Sequence, residues 1–248
     1  MDGLYDDADL YDLVAPPSAD MEHHYVQAAG GPGRRVLDLA CGSGRLTVPL
    51  AASGALVTGG DLSETMLARA RQAAAEHGVD ARFVTLDMRD FALGERFDAI
   101  VIGANSLMHL HTNDDFARAF SAIREHLAPG GRLFFDVFVP SAKLLSAPAG
   151  ERQHLGSFTH SRLGVVTVEE TIEYDPVTQL NRADWYWSTP THQDFRHTPL
   201  ELRQIYPQEL PLLLNLGGLR LEERFGDFDH RPLAAQSWRQ VCTAVVAV

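Results

Sequence analysis

Only two of the 248 residues are cysteines, Cys41 and Cys242, too few for a disulfide framework and without the spacing of a zinc site. The expectation is two reduced thiols and no metal. No apolar run approaches the roughly 18 residues of a membrane span. The opening Met1-Asp2-Gly3-Leu4-Tyr5-Asp6-Asp7 is acidic where a secretory or mitochondrial leader would be basic. These absences predict a cytoplasmic chain with no membrane partner. Basic surface is also lacking, because 33 acidic residues against 21 Lys and Arg leave a formal charge of −12. Nucleic-acid affinity draws on cationic side chains that displace counterions from phosphates, so no nucleic-acid partner is expected. Internal repeats and low-complexity tracts are missing too.

What is present suits one sizeable core. With 45% apolar and 22% charged residues, the chain reads as a single α/β domain with room for an insertion. From Arg35 to Val139, short apolar runs alternate with segments of helical period, the pattern of βαβ units around a parallel sheet. Strands are predicted at 35–39, 55–59, 81–86, 97–102 and 132–138. Ser63 caps a helix that Gly78 ends, Thr112-x-x-Asp115 forms a capping box for a helix to Leu127, and Pro129-Gly130-Gly131 turns the chain into the next strand. After Pro140 the pattern becomes antiparallel. Residues 165–174 and 180–189 alternate around the turn Asp175-Pro176-Val177-Thr178-Gln179, and 192–205 is a third extended stretch. A helix from Pro207 to Gly217 and two strands, 219–228 and 238–246, complete the chain. This divides it into a cofactor-binding core with an N-terminal lid (1–140), a β-rich insertion (141–205) and a completion of the core sheet (206–248). The insertion is expected to cover the substrate or to serve as a dimerisation surface, which leaves a homodimer open.

The first strand runs into Asp38-Leu39-Ala40-Cys41-Gly42-Ser43-Gly44-Arg45, so two glycines stand where a ligand must approach the backbone closely. Nineteen residues past Gly42 comes Asp61 at the end of the second strand, where a carboxylate can accept both hydroxyls of a ribose. Asp87 ends the third strand. Three acidic strand ends therefore line one carboxyl edge, the place where open α/β sheets bind ligands. A nicotinamide site fits less well. Thr47 replaces the third glycine of Gly-x-Gly-x-x-Gly, and Asp38 would repel a pyrophosphate.

Val36-Leu37-Asp38-Leu39-Ala40-Cys41-Gly42-Ser43-Gly44, Asp61-Leu62-Ser63-x-x-Met66-Leu67 and Asp87-Met88 resemble the successive motifs of class I S-adenosylmethionine-dependent methyltransferases. The resemblance covers about residues 34–140 and implies a Rossmann-like seven-stranded sheet, here with an antiparallel β insertion after the fifth strand. It implies that Asp38 and the backbone of Ala40, Gly42 and Gly44 hold the methionine part, Asp61 the ribose, and Asp87 with Met88 the adenine. Leu62 and Met66 would pack against the adenosine. It also implies that the loop Ala104-Asn105-Ser106-Leu107-Met108-His109-Leu110 crosses beneath the sulfonium, with Asn105 on the cofactor side and His109 facing the acceptor as a candidate general base. Tyr5 and Tyr11 look like the N-terminal lid of small-molecule methyltransferases, amino-sugar N-methyltransferases among them. Tyr11 is accordingly a candidate for both cofactor and acceptor contact, and Tyr25 a candidate for the cofactor carboxylate. The loop lacks the Asn-Pro-Pro-Tyr or Asp-Pro-Pro-Tyr of enzymes that methylate base amines or glutamine amides.

Methyl transfer from a sulfonium is an in-line displacement, so the chain must chiefly hold a nucleophile about 3 Å from the methyl carbon. The expected activity is methylation of a nitrogen or oxygen on a small organic acceptor. The alternative is an S-adenosylmethionine-binding sensor or partner protein without transferase activity. Glu169, Tyr174, Trp185, Trp187, Arg203 and Tyr206 in and after the insertion are candidates to wall an acceptor pocket, with core or dimer packing favoured for the two tryptophans and an exposed salt bridge for Arg203.

Overall fold

The computed structural model describes residues 3–16 and 18–247. Two helices open the chain, α1 (Ala8–Val14) and α2 (Ala19–Ala29), capped by Asp7 and Ser18. The core then alternates β1 (Arg35–Leu39), α3 (Thr47–Ala52), β2 (Leu56–Asp61), α4 (Glu64–Glu76), β3 (Arg82–Thr85), β4 (Phe97–Ile102), α5 (Asn113–His126) and β5 (Leu127–Phe138). Buried strands of a parallel sheet must be apolar on both faces, and β4 obeys this, with five of its six residues buried. The Thr112/Asp115 capping box forms as expected, and Gly78 follows α4 in the left-handed conformation. β5 begins five residues earlier than its apolar run. The Pro129-Gly130-Gly131 turn falls inside it and surfaces as a shift of register opposite Phe97 and Ala99.

The seven strands lie in the order β10-β11-β5-β4-β1-β2-β3, where β10 is Leu219–Phe225 and β11 Arg239–Val246. β1 to β5 pair in parallel, and β11 runs antiparallel against both β5 and β10. The chain order reverses between β1 and β4, which opens a crevice at their carboxyl ends. Apolar clusters fill both faces. One joins α5 and α7 (Leu210–Leu216) to the sheet through Phe116, Phe120 and Leu214, and the other joins α2 and α3 through Tyr25 and Leu50.

A short helix, α6 (Ala142–Leu145), leads to a second sheet of four antiparallel strands in sequence order: β6 (Gln153–His160), β7 (Gly164–Asp175), β8 (Leu180–Thr189) and β9 (His192–Arg203). Its inner face carries Val166, Val168 and Trp187, all fully buried against Leu4 and Leu10 of the N-terminal segment. The insertion therefore packs on the lid. No helix among the described residues is long and apolar enough to cross a membrane.

Candidate active site

At the carboxyl ends of β1, β2 and β4 the structure forms a chamber of about 320 Å3. A narrow recess of about 30 Å3 adjoins it and shares Tyr11, Ala40, Gly42, Ala104 and Ser106 with it. Asp38 lines the recess, while Asp61, Leu62, Asp87, Met88 and His109 line the chamber. The three strand-end aspartates thus converge on one cleft.

Each aspartate has a distinct setting. Asp38 is 1% exposed and accepts a hydrogen bond of 2.5 Å from the Thr47 hydroxyl. Burial pushes its carboxyl up to about 7, and the Thr47 bond only partly offsets this. The residue that spoiled the dinucleotide glycine pattern therefore supports the first carboxylate. Asp61 accepts the backbone N–H of Gly42 at 2.8 Å and of Ser63 at 2.9 Å, so it ties the glycine turn to the start of α4. Burial raises its pKa against those N–H groups. Asp87 is held by Arg89, whose guanidinium grips both carboxylate oxygens and keeps the group more acidic than usual. Arg89 also lines the chamber, a role the sequence reading missed.

The N-terminal segment closes over this floor. Tyr5 and Tyr11 sit with ring centroids 5.4 Å apart, and the Tyr5 oxygen lies 2.7 Å from His109 Nε2. Ser63 donates to the Tyr5 carbonyl, Ser43 to Asp12, and Arg45 to the Ala15 carbonyl, with its guanidinium over the Tyr11 ring. Asp7 pairs with Arg196 of β9 at 2.8 Å, which latches the segment to the insertion. Burial pushes His109 down to about 4 and the Tyr5 phenol well above its usual range. Both rings are neutral at neutral pH. The pairing of Tyr5 with His109, 104 residues apart, has no signal in the sequence beyond the aromatic lid itself.

Four candidates are not among the residues that line the chamber or the recess. Tyr25 is fully buried behind the cleft and donates its hydroxyl to Asp136 at 2.6 Å, so that hydroxyl is committed to the protein. Gly44 turns towards α4, and a Cβ there would come within 3.1 Å of the Ala70 Cβ, so its glycine serves helix packing. Met66 is buried beneath the turn, with its Cε 3.8 Å from where a Gly42 Cβ would sit. Asn105 stands between two lining residues in a left-handed conformation, with its Oδ1 buried and unpartnered. In the insertion, strand alternation turns Glu169 outward to Arg152, whereas Glu170 accepts the Trp185 indole N–H. Arg203 is 6% exposed and buried on Glu209 at 2.6 Å, a correction to the exposed bridge expected of it.

The methyltransferase-domain family matches residues 36–131. A curated Saccharopolyspora spinosa protein, dTDP-4-amino-2,3,4,6-tetradeoxy-D-glucose N,N-dimethyltransferase, is 31% identical over 68% of this chain and 72% of its own length. The CcbJ methyltransferase of Streptomyces caelestis superposes with a TM-score of 0.84 at 30% identity, over 100% of both chains. The chain belongs to the S-adenosylmethionine-dependent methyltransferases. A further relative, dTDP-3-amino-3,4,6-trideoxy-alpha-D-glucopyranose N,N-dimethyltransferase of Streptomyces venezuelae, is 34% identical over 51% of the chain and 54% of its own length. The chain spans about half the length of the curated relatives it matches first. The seven-stranded sheet with its antiparallel β11 is the class I methyltransferase fold, and the family uses S-adenosylmethionine.

Proposed function

We propose that this methyltransferase moves the methyl of S-adenosylmethionine onto a nitrogen or oxygen of a small organic acceptor. An amine is the first candidate, because three curated relatives act on amino sugars by name. The observation that carries the reading is one chamber lined both by a ribose-type carboxylate, Asp61, and by the Tyr5–His109 pair.

The residues present fit the cofactor. Asp61 offers a carboxylate to a ribose, and Leu62, Leu86 and Met88 offer apolar contact to a purine. Gly42 leaves the turn open, since a Cβ there would meet only the end of Met66. The recess beside Asp38 holds only about two waters as it stands. In this proposal Tyr11, which lines both recess and chamber, swings outward with its segment to admit the amino-acid group.

When bound, S-adenosylmethionine supplies an electrophilic methyl on a sulfonium that departs as a neutral thioether. The chain's task is to align the acceptor and exclude water. In this proposal Tyr5 donates a hydrogen bond to His109 Nε2, which leaves the phenol oxygen lone pairs to accept a hydrogen bond from the acceptor N–H or O–H. The nucleophile's own lone pair is then free to face the methyl. With a pKa near 4, His109 is too weak a base to hold a proton at neutral pH, so its part is to orient Tyr5. Tyr5 and Tyr11 of the lid wall the acceptor side, and the insertion backs the lid through Trp187 and the Arg196–Asp7 pair. The test is incubation with isotopically labelled methyl donor and a panel of small amines, phenols and carboxylates, read by mass spectrometry. Labelled products confined to small acceptors support the reading, and cofactor binding with no product across the panel favours the sensor alternative.

Asp38 gives this proposal a pH signature. The raised folded-state pKa means that stability present with Asp38 protonated is lost as pH climbs from the unfolded value of 3.8 through about 7. An ammonium brought beside Asp38 favours the carboxylate, so binding releases a proton. S-adenosylhomocysteine affinity should rise with pH by up to about tenfold per unit below pH 7 and level off above it. Calorimetry in buffers of different ionisation enthalpy should detect the released proton near pH 6.5 and lose it in Asp38→Asn.

A further inference from the structure

We propose that Asp136 is a positioning residue that holds the Gly103–Ser106 floor of the cleft in shape, and that Tyr25 acts through it. The inference rests on the cofactor reading above. Asp136 lies near the end of β5, beside β4, and is 2% exposed. Its Oδ1 accepts the Tyr25 hydroxyl at 2.6 Å and the Ala104 N–H at 3.0 Å, and the Asn105 N–H beyond them also favours the charged carboxylate.

Two successive non-glycine residues, Ala104 at φ 54° and Asn105 at φ 64°, stand in the left-handed region. Such a pair forms a short left-handed turn, and the N–H at its start is bonded to a carboxylate of the protein itself. The conformation is costly for residues with a Cβ and persists only where its surroundings enforce it. Asp136 is the enforcing group, because it bonds the Ala104 N–H and favours the Asn105 N–H beside it. Tyr25 in turn fixes the carboxylate, and this explains why a phenol is fully buried behind a cleft it does not line.

The consequence reaches the cleft through peptide geometry. A trans peptide points its N–H and C=O in opposite directions. With the Asn105 N–H turned towards Asp136, the Ala104 carbonyl faces away from that carboxylate, and Ala104 borders both the recess and the chamber. Among the described residues, the Gly103 carbonyl is taken by Ser106 and the Asn105 carbonyl by Met108, while that of Ala104 accepts no backbone N–H. Asp136 therefore sets the direction of an uncommitted acceptor at the junction, the place for the amino-acid end of the cofactor and not for its adenosine.

This division supplies the test. S-adenosylhomocysteine carries the amino-acid end and 5′-methylthioadenosine lacks it, so calorimetry with the two probes separates the floor from the adenosine chamber. Asp136→Asn places amide donors against the Asn105 N–H and should weaken S-adenosylhomocysteine at least tenfold while leaving 5′-methylthioadenosine within twofold. Tyr25→Phe, the milder change, should weaken S-adenosylhomocysteine three- to tenfold with the same selectivity, and the double variant should be no worse than Asp136→Asn alone. In the unsubstituted protein, hydrogen exchange should find the Ala104 amide as protected as those of β4. Equal losses for both probes, no loss for either, or rapid exchange of that amide would overturn the proposal. Failure of the unsubstituted protein to bind either probe would instead remove the cofactor reading.

Discussion

Asp61→Ala is expected to weaken S-adenosylhomocysteine binding by about ten- to a hundredfold, the equivalent of roughly 1.5–3 kcal/mol for charge-assisted hydrogen bonds. The carboxylate does two things at once. It faces the chamber, where it can accept hydroxyl protons, and it accepts the Gly42 and Ser63 N–H groups. Alanine removes both, and the glycine turn loses the anchor that ties it to α4. Asp61→Asn separates the two contributions, since its amide oxygen still accepts one backbone N–H but its NH2 cannot accept a hydroxyl proton. The amide should recover part of the lost stability while most of the affinity stays lost. Calorimetry together with thermal melts of both variants provides the check, and unchanged affinity in Asp61→Ala contradicts the ribose assignment.

Loss of the Tyr5 hydroxyl is expected to lower turnover about a hundredfold, the scale of losing a group that orients the acceptor. Tyr5→Phe keeps the ring that packs beside Tyr11 and removes only the oxygen facing His109. Cofactor affinity should therefore move by less than threefold, and the effect should fall on kcat with an amine acceptor. His109→Leu should cost a similar factor, and the double variant little more, because both changes break one interaction. The pH profile gives an independent readout. His109, with a pKa near 4, carries no proton at pH 6 or above, so the rate should show no inflection from a histidine near 6.5. A rise in rate with pH should instead follow the ammonium of the acceptor. Additive losses, or an inflection near 6.5 that His109→Leu abolishes, would make His109 an independent base.

How much of this was written in the sequence depends on the range of the interaction. Buried parallel strands show as apolar runs, and helix caps are local, so β1 to β5 and the ends of α4 and α5 could be placed from the residues alone. β6 was missed because an edge strand such as Gln153–His160, largely exposed, has no apolar face to betray it. α2 was passed over for a related reason, since its polar run His23-His24 interrupts a weak stripe. Motif residues at the sheet edge, Asp38, Asp61, Leu62, Asp87 and Met88, reach one cleft because strand ends of a parallel sheet must converge. Pairings over long separations left no local trace. Tyr25 meets Asp136 across 111 residues and Tyr5 meets His109 across 104, so the family pattern could name the aromatics but not their partners. Glu169 and Glu170 show the opposite sensitivity, where a one-residue step in β7 decides which carboxylate faces inward.

A crystal structure of the protein with S-adenosylhomocysteine tests the central claim most directly. The account predicts both ribose hydroxyls within hydrogen-bond distance of Asp61, the purine between Leu62 and Met88, and the amino-acid end beside Asp38 with the Tyr11 segment displaced. An adenosyl group seated anywhere other than the rim formed by β1, β2 and β4 would contradict it.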